Sequence, residues 1–147
     1  MTAPSADPSG KAGGVACRSA MSVRQDTHDA ALELADRFAE GPAPDLLFVF
    51  ASPEHHGRMG TVQDTVRHRT GARHVVGLTA EGVLAGPTER ERAPALAAMA
   101  LTLPGVRIRP FWIDPPPSSD PPESRAAALG EQIGAGDDLR AAFFFAD

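Results

Sequence analysis

Leu46-Leu47-Phe48-Val49-Phe50-Ala51 is apolar at every position, so no face of this segment can be turned toward water. A strand of this kind belongs inside a sheet that is covered on both sides, as the parallel strands of α/β proteins are. The chain before and after it fits that reading. Ala20-Met21-Ser22-Val23 is a short apolar run that reads as a first strand. Asp26 then stands where a helix N-cap is needed, with Asp29 in the first turn, where the helix dipole favours a carboxylate. Ala31, Leu34, Ala35 and Phe38 recur at helical spacing and define one buried stripe. Gly41-Pro42 stops the helix, glycine taking a left-handed conformation and proline being unable to continue.

After the apolar strand, Ser52-Pro53-Glu54 reads as a helix start, with Ser52 as cap and proline in the first turn. Met59, Val62 and Val66 form its buried face, Gly57 and Gly60 weaken it, and Gly71 ends it. His74 to Leu78 follows as a third strand. The order βαβαβ predicts an α/β fold with a mainly parallel sheet and flanking helices. Thr79 to Pro94 reads as a loop rich in Gly, Glu and Arg, its Glu89-Arg90-Glu91-Arg92 run forming a solvated face. Ala95–Leu103 and Val106–Ile113 read as two extended runs joined at Pro104-Gly105, an antiparallel hairpin at one edge of the sheet, with Pro110 interrupting its second strand.

The domain organisation expected is a disordered tail over 1–17, an α/β core over 18–113, a proline-rich linker over 114–123, and a helix and strand over 124–147. The last helix carries Ala126, Leu129 and Ile133 and ends at Gly134. Ala141 to Asp147 reads as a buried-type strand, the start of a second unit cut short.

The chain of 147 residues has a net charge of −5 and a single cysteine. A mildly acidic chain offers no electrostatic footprint for nucleic acid or an anionic membrane. One cysteine makes no internal disulfide, and no apolar run reaches the roughly 20 residues of a membrane-spanning helix. A cytoplasmic location is the expectation. The arginine excess over lysine fits a genome rich in G and C and carries no functional weight.

The turn Gly77-Leu78-Thr79-Ala80-Glu81-Gly82 leaves the carboxyl end of a covered strand, the place where open α/β sheets bind ligands. Glycines there let the backbone approach a small molecule. Thr79 can hydrogen-bond a polar group, and Glu81 can pair with an ammonium. Ser52 and His55 lie at the matching end of the preceding strand, so the candidate ligand-binding set is Ser52, His55, Gly77, Thr79, Ala80, Glu81 and Gly82. The alternative is purely structural, with the glycines turning the chain and the polar residues capping it.

Other chemistries lack their patterns. No Gly-Lys-Ser/Thr follows the loop and no GxGxxG is present, so nucleotide binding is not indicated, and no cofactor is expected. Adjacent His55 and His56 point about 100° apart on a helix and do not converge on one metal. Ser52, His55 and Glu81 could be drawn as a triad, but no Gly-x-Ser-x-Gly elbow supports Ser52, and Cys17 has no base near it in sequence. The expectation is a protein that is not an enzyme.

Asp45–Ser52, Gly77 to Val83, and Leu101-Thr102-Leu103-Pro104-Gly105-Val106 resemble, in order and spacing, the N-terminal domain of the FIST family. The resemblance covers about residues 18–147 and implies a sensory domain of intracellular signal transduction. It implies a small ligand, with amino acids proposed, and a FIST C-terminal domain or a separate signalling partner. The family's Gly-Cys-Ser/Thr is here Gly77-Leu78-Thr79, so no role needing a thiol at that position applies. A structural or interaction module, docking or self-associating through exposed strand edges, is the alternative.

Overall fold

The structure, a computed structural model, describes residues 14–114 and 117–145. It divides into two units, residues 1–108 and 109–147. The first holds a four-stranded sheet, formed by β1 (Ala16–Ser22), β2 (Leu46–Ala51), β3 (His74–Thr79) and β6 (Leu96–Thr102), in the order β1-β6-β2-β3. A separate hairpin joins β4 (Gly82–Ala85) to β5 (Thr88–Glu91).

The mixed α/β class holds, but the sheet is not mainly parallel. Among the described residues only β2 and β3 pair in parallel; β6 pairs antiparallel with β2 on one side and β1 on the other. The reason lies between β3 and β6. A parallel return needs a crossover, usually a helix, whereas the β4–β5 hairpin brings the chain back at the end of the sheet it has just left. The next strand therefore runs the other way. It inserts between β1 and β2, which leaves β1, β2 and β3 pointing in one direction with their carboxyl ends at one rim.

The expected hairpin at Ala95–Ile113 is half right. Its first run is β6, a central rather than an edge strand, but residues 106–113 form no strand. The hairpin lies instead within the segment read as a loop, at Gly86-Pro87. Gly86 has φ +58°, and a positive first angle followed by proline's fixed negative one is what a type II′ hairpin turn requires. Cys17, expected in a flexible tail, is an exposed residue of β1 opposite Leu101.

α1 (Thr27–Asp36) begins as expected: the Asp26 carboxylate accepts from the Asp29 N–H at 3.0 Å, which holds its pKa below the usual carboxylate range. The helix stops before Gly41, with Arg37 as its C-cap. The segment after Ser52 opens as a 3-10 turn, Pro53–Arg58, and becomes α2 only at Met59–Thr70. Gly57 and Gly60 bracket the change, where α-helical propensity is lowest. Gly71 closes α2 in the left-handed region, φ +68°.

Alternation along the strands sorts two apolar faces. Leu47, Val49 and Ala51 of β2 and Leu96, Ala98 and Ala100 of β6 join Ala31, Leu34 and Phe38 of the α1 region and Val62 and Val66 of α2. On the opposite face Phe50, Ala97 and Met21 meet Val83 and Ala85 of the hairpin. Helices cover one face and the hairpin shields part of the other, so the all-apolar β2 is accounted for.

In the second unit, α3 (Pro122–Ile133) ends at a left-handed Gly134, and none of its residues is buried. The Asp114 backbone N–H donates to Gln132 at 2.8 Å and the Gln132 amide donates back to the Asp114 carbonyl at 3.0 Å, while Phe111 and Phe144 meet edge to face. Residues 141–145 form no strand and are exposed, and Ala146 and Asp147 lie outside the described residues. The phenylalanine run there is thus not a sheet strand. Of the proposed linker, Pro115 and Pro116 also lie outside the described residues. No helix among the described residues is long and apolar enough to cross a membrane.

Candidate functional site

The rim at the carboxyl ends of β1, β2 and β3 gathers three junctions: residues 22–27, 52–56 and 79–82. Parallel pairing sets Ala51 opposite Thr79, so the turns that follow β2 and β3 start side by side. The Ala80 N–H donates to the Ala51 carbonyl at 2.9 Å, which fixes the first residue of the loop against the neighbouring strand.

Ser52 does not cap the helix it precedes. Its hydroxyl oxygen accepts the Ala95 N–H at 2.9 Å, and its own N–H donates to the Ala95 carbonyl at 2.9 Å. Both residues are buried. This reciprocal clasp ties the end of β2 to the segment leading into β6. The Ser52 hydroxyl also bonds the exposed Glu54 carboxylate and is the main cause of that group's pKa lying below its usual value.

His55 and His56 divide two roles between them. His55 is fully buried, with Nδ1 2.9 Å from the Thr27 hydroxyl, and its Nε2 is buried without a hydrogen-bond partner among the described residues. His56 points outward, its Nδ1 3.5 Å from the Thr79 hydroxyl across the rim. Burial pushes the His55 pKa below its ordinary value, more than the nearby Glu54 and Asp26 carboxylates raise it. The ring is therefore neutral at neutral pH.

A depressed imidazole pKa has a signed consequence. The unfolded chain takes up the His55 proton at a higher pH than the folded one, so it binds more protons in that window and stability rises with pH. The contribution is complete above the ordinary value of 6.5 and is lost as pH falls through the lower folded value. Urea unfolding midpoints measured from about pH 8 to about pH 5 should fall on acidification, and His55→Gln should flatten the slope while lowering the midpoint at the alkaline end. An unchanged slope in His55→Gln would remove His55 as the source.

The expected site set separates accordingly. Thr79, Ala80 and Glu81 lie together at the rim, Glu81 exposed and the other two half-buried. Ser52 and His55 brace the rim from below with protein partners. Gly77 and Gly82 are exposed, and each has a close neighbour that a side chain would meet. A Cβ at Gly77 would come within 3.1 Å of the Met59 methyl and 3.2 Å of the Val49 carbonyl, and one at Gly82 within 3.1 Å of Glu91. Sequence reasoning missed Thr27 and Ala95 as partners of the rim and left His56 out of the set. Thr27 was accessible in principle, since a first strand parallel to β2 delivers the next helix to the same rim. Among the described residues no cluster of three or more His, Cys, Asp or Glu is arranged to hold a metal ion.

A mixed α/β domain with chain turns collected at one end of its sheet is a scaffold of the type that carries loop-built binding sites. The chain belongs to the FIST family: the FIST N domain matches residues 45–147. That family is one of sensory domains in signal transduction. No curated protein matches the sequence. Among solved structures, CetZ1 from Haloferax volcanii, a GDP-bound monomer, is similar at 21% identity and a TM-score of 0.38, covering 65% of this chain and 30% of that one. A likeness at that level fixes neither ligand nor activity.

Proposed function

We propose that this chain is a non-enzymatic, cytoplasmic sensory domain that binds a small polar, amino-acid-like molecule at the rim. The state of the rim passes to a FIST C-terminal domain or a separate signalling partner. The observation that carries this reading is the convergence of three same-direction strands on one rim, with His56, Thr79 and Glu81 at its surface and Ser52 and His55 holding it from within. Glu81 suits an ammonium, and the Thr79 hydroxyl and His56 imidazole suit a carboxylate or other polar group. Family membership supports a sensory role. The burial of the neutral His55 ring against Thr27 favours binding over acid–base turnover, because the best-placed imidazole is engaged and shielded.

A thermal-shift panel of the common amino acids and small carboxylates tests the reading. A ligand that binds only the folded state stabilises it by about 2.7 kcal/mol at a hundredfold excess over its Kd. At least one amino acid should raise the melting temperature, with the rise lost in Thr79→Ala and in Glu81→Ala while their unliganded melting temperatures hold. A panel without any shift, or a shift indifferent to both substitutions, would remove the rim as the site.

A further inference from the structure

β1 takes β6 as its partner on one side and has no strand partner on the other among the described residues. An open groove of about 710 Å³ lies along this strand. Arg37 and Phe38, at the end of α1, wall it on the helical side of the sheet, and the Gly86-Pro87 turn of the hairpin walls it on the other. An unpaired strand between two raised walls is the geometry of strand addition, in which an incoming extended chain satisfies the free backbone groups. Over its seven residues β1 offers about 23 Å at roughly 3.3 Å per residue.

The groove carries its own charge. Among the described residues its charged lining is Arg18 and Arg37, with no acid, in a chain whose net charge is −5. Arg37 makes an exposed, long contact, 3.6 Å to Glu33. Arg18 donates through Nη1 to the Glu40 carbonyl and lies over the Phe38 ring at 5.7 Å, while its Nη2 is buried with no hydrogen-bond partner among the described residues. A shielded guanidinium N–H without an acceptor is costly, and a carboxylate entering the groove would supply the acceptor.

We propose that β1 receives an extended acidic peptide segment of another protein as a fifth strand of the sheet, with Arg18 and Arg37 taking its carboxylates. A second copy of this chain suits the edge less well. Antiparallel pairing of two β1 strands about Ser19 sets the two Arg18 side chains as diagonal neighbours about 7–8 Å apart, a like-charge arrangement. This inference is independent of the rim.

The test is selection of random seven-residue linear peptides displayed on phage against the full chain, followed by binding of a fluorescent peptide made from the enriched sequence. Enrichment in Asp and Glu is expected. The labelled peptide should lose about tenfold or more in affinity to Arg37→Gln, as a lost charge-assisted hydrogen bond implies. Methylation of alternate peptide nitrogens should abolish binding, and the backbone amide signals of residues 16–22 should be the ones that shift. Arg37→Gln keeps the fold because its contact to Glu33 is exposed; Arg18→Gln is read beside its own melting curve. No enriched sequence, enrichment without acids, tolerance of N-methylation, or a dimer in sedimentation that the peptide displaces would each overturn the proposal, the last in favour of a second copy.

Discussion

Leu47→Ala is expected to lower the free energy of unfolding by about 2–5 kcal/mol, the range for deleting a large buried aliphatic side chain. Leu47, the second residue of β2, is wholly buried and faces the helices, in the cluster that includes Leu34, Val62 and Val66. Its register partners are Val75 of β3 and Ala100 of β6. The small alanines of β6 cannot reach into the space that Leu47 would leave, so the cavity stays open and the upper part of the range applies. Urea unfolding reads the change as a lower midpoint at constant slope. Leu84→Ala is the control, because Leu84 is 66% exposed on the hairpin, and its cost should stay within about 0.5 kcal/mol. Equal costs at the two positions would mean that β2 does not form the core.

The same strand shows what the sequence made legible. An uninterrupted apolar run can be satisfied only by burial on both faces, and β2 occupies the expected residues, Leu46–Ala51. The Asp26 cap, the Gly71 stop and the strand at His74 were equally plain, because each rests on local chemistry for which no distant group competes in this fold. What was hidden depends on pairing. Nothing in Leu96-Ala97-Ala98-Met99-Ala100 tells which neighbour it takes, and the alternating Val106–Ile113 looked the better partner. That segment carries Pro110 in its middle and leaves Trp112 91% exposed. Thr88-Glu89-Arg90-Glu91 is polar and exposed at every position, so β5 has no apolar alternation to announce it. Only Gly86-Pro87 marked the turn, and reading it would have predicted both the hairpin and the antiparallel β6.

The site divides along the same line. That the loops after β2 and β3 meet at one rim follows from a parallel pair joined by a helix, and this was legible. Which of two adjacent histidines turns inward was not, because it is decided by Thr27, at a sequence separation of 28 residues. The role of Ser52 was misread for a related reason. A serine before Pro-Glu has the local signature of an N-cap, but the Ala95 N–H arriving from a distant segment competes for the same oxygen and takes it. A buried amide without another acceptor has more to gain from that oxygen than a helix end that water can reach.

Ser52→Ala should therefore behave as the loss of a clasp, not of a ligand contact. The substitution leaves the buried Ala95 N–H without its acceptor, and an unsatisfied buried donor costs about 1–3 kcal/mol. The Ala95 carbonyl keeps its bond from the Ser52 backbone, so the two segments stay attached and the variant still folds. Two readouts separate this from general damage. The Glu54 carboxyl, held low chiefly by the Ser52 hydroxyl, should titrate at a higher pH in the variant, as followed by its side-chain NMR signal. A ligand that raises the melting temperature of the parent should raise that of Ser52→Ala by a similar amount, whereas Thr79→Ala should lose the rise with little change in its own stability. Were Ser52→Ala instead to keep full stability and lose the ligand response, Ser52 would be touching the ligand, and the rim would open deeper into the domain than the buried clasp allows.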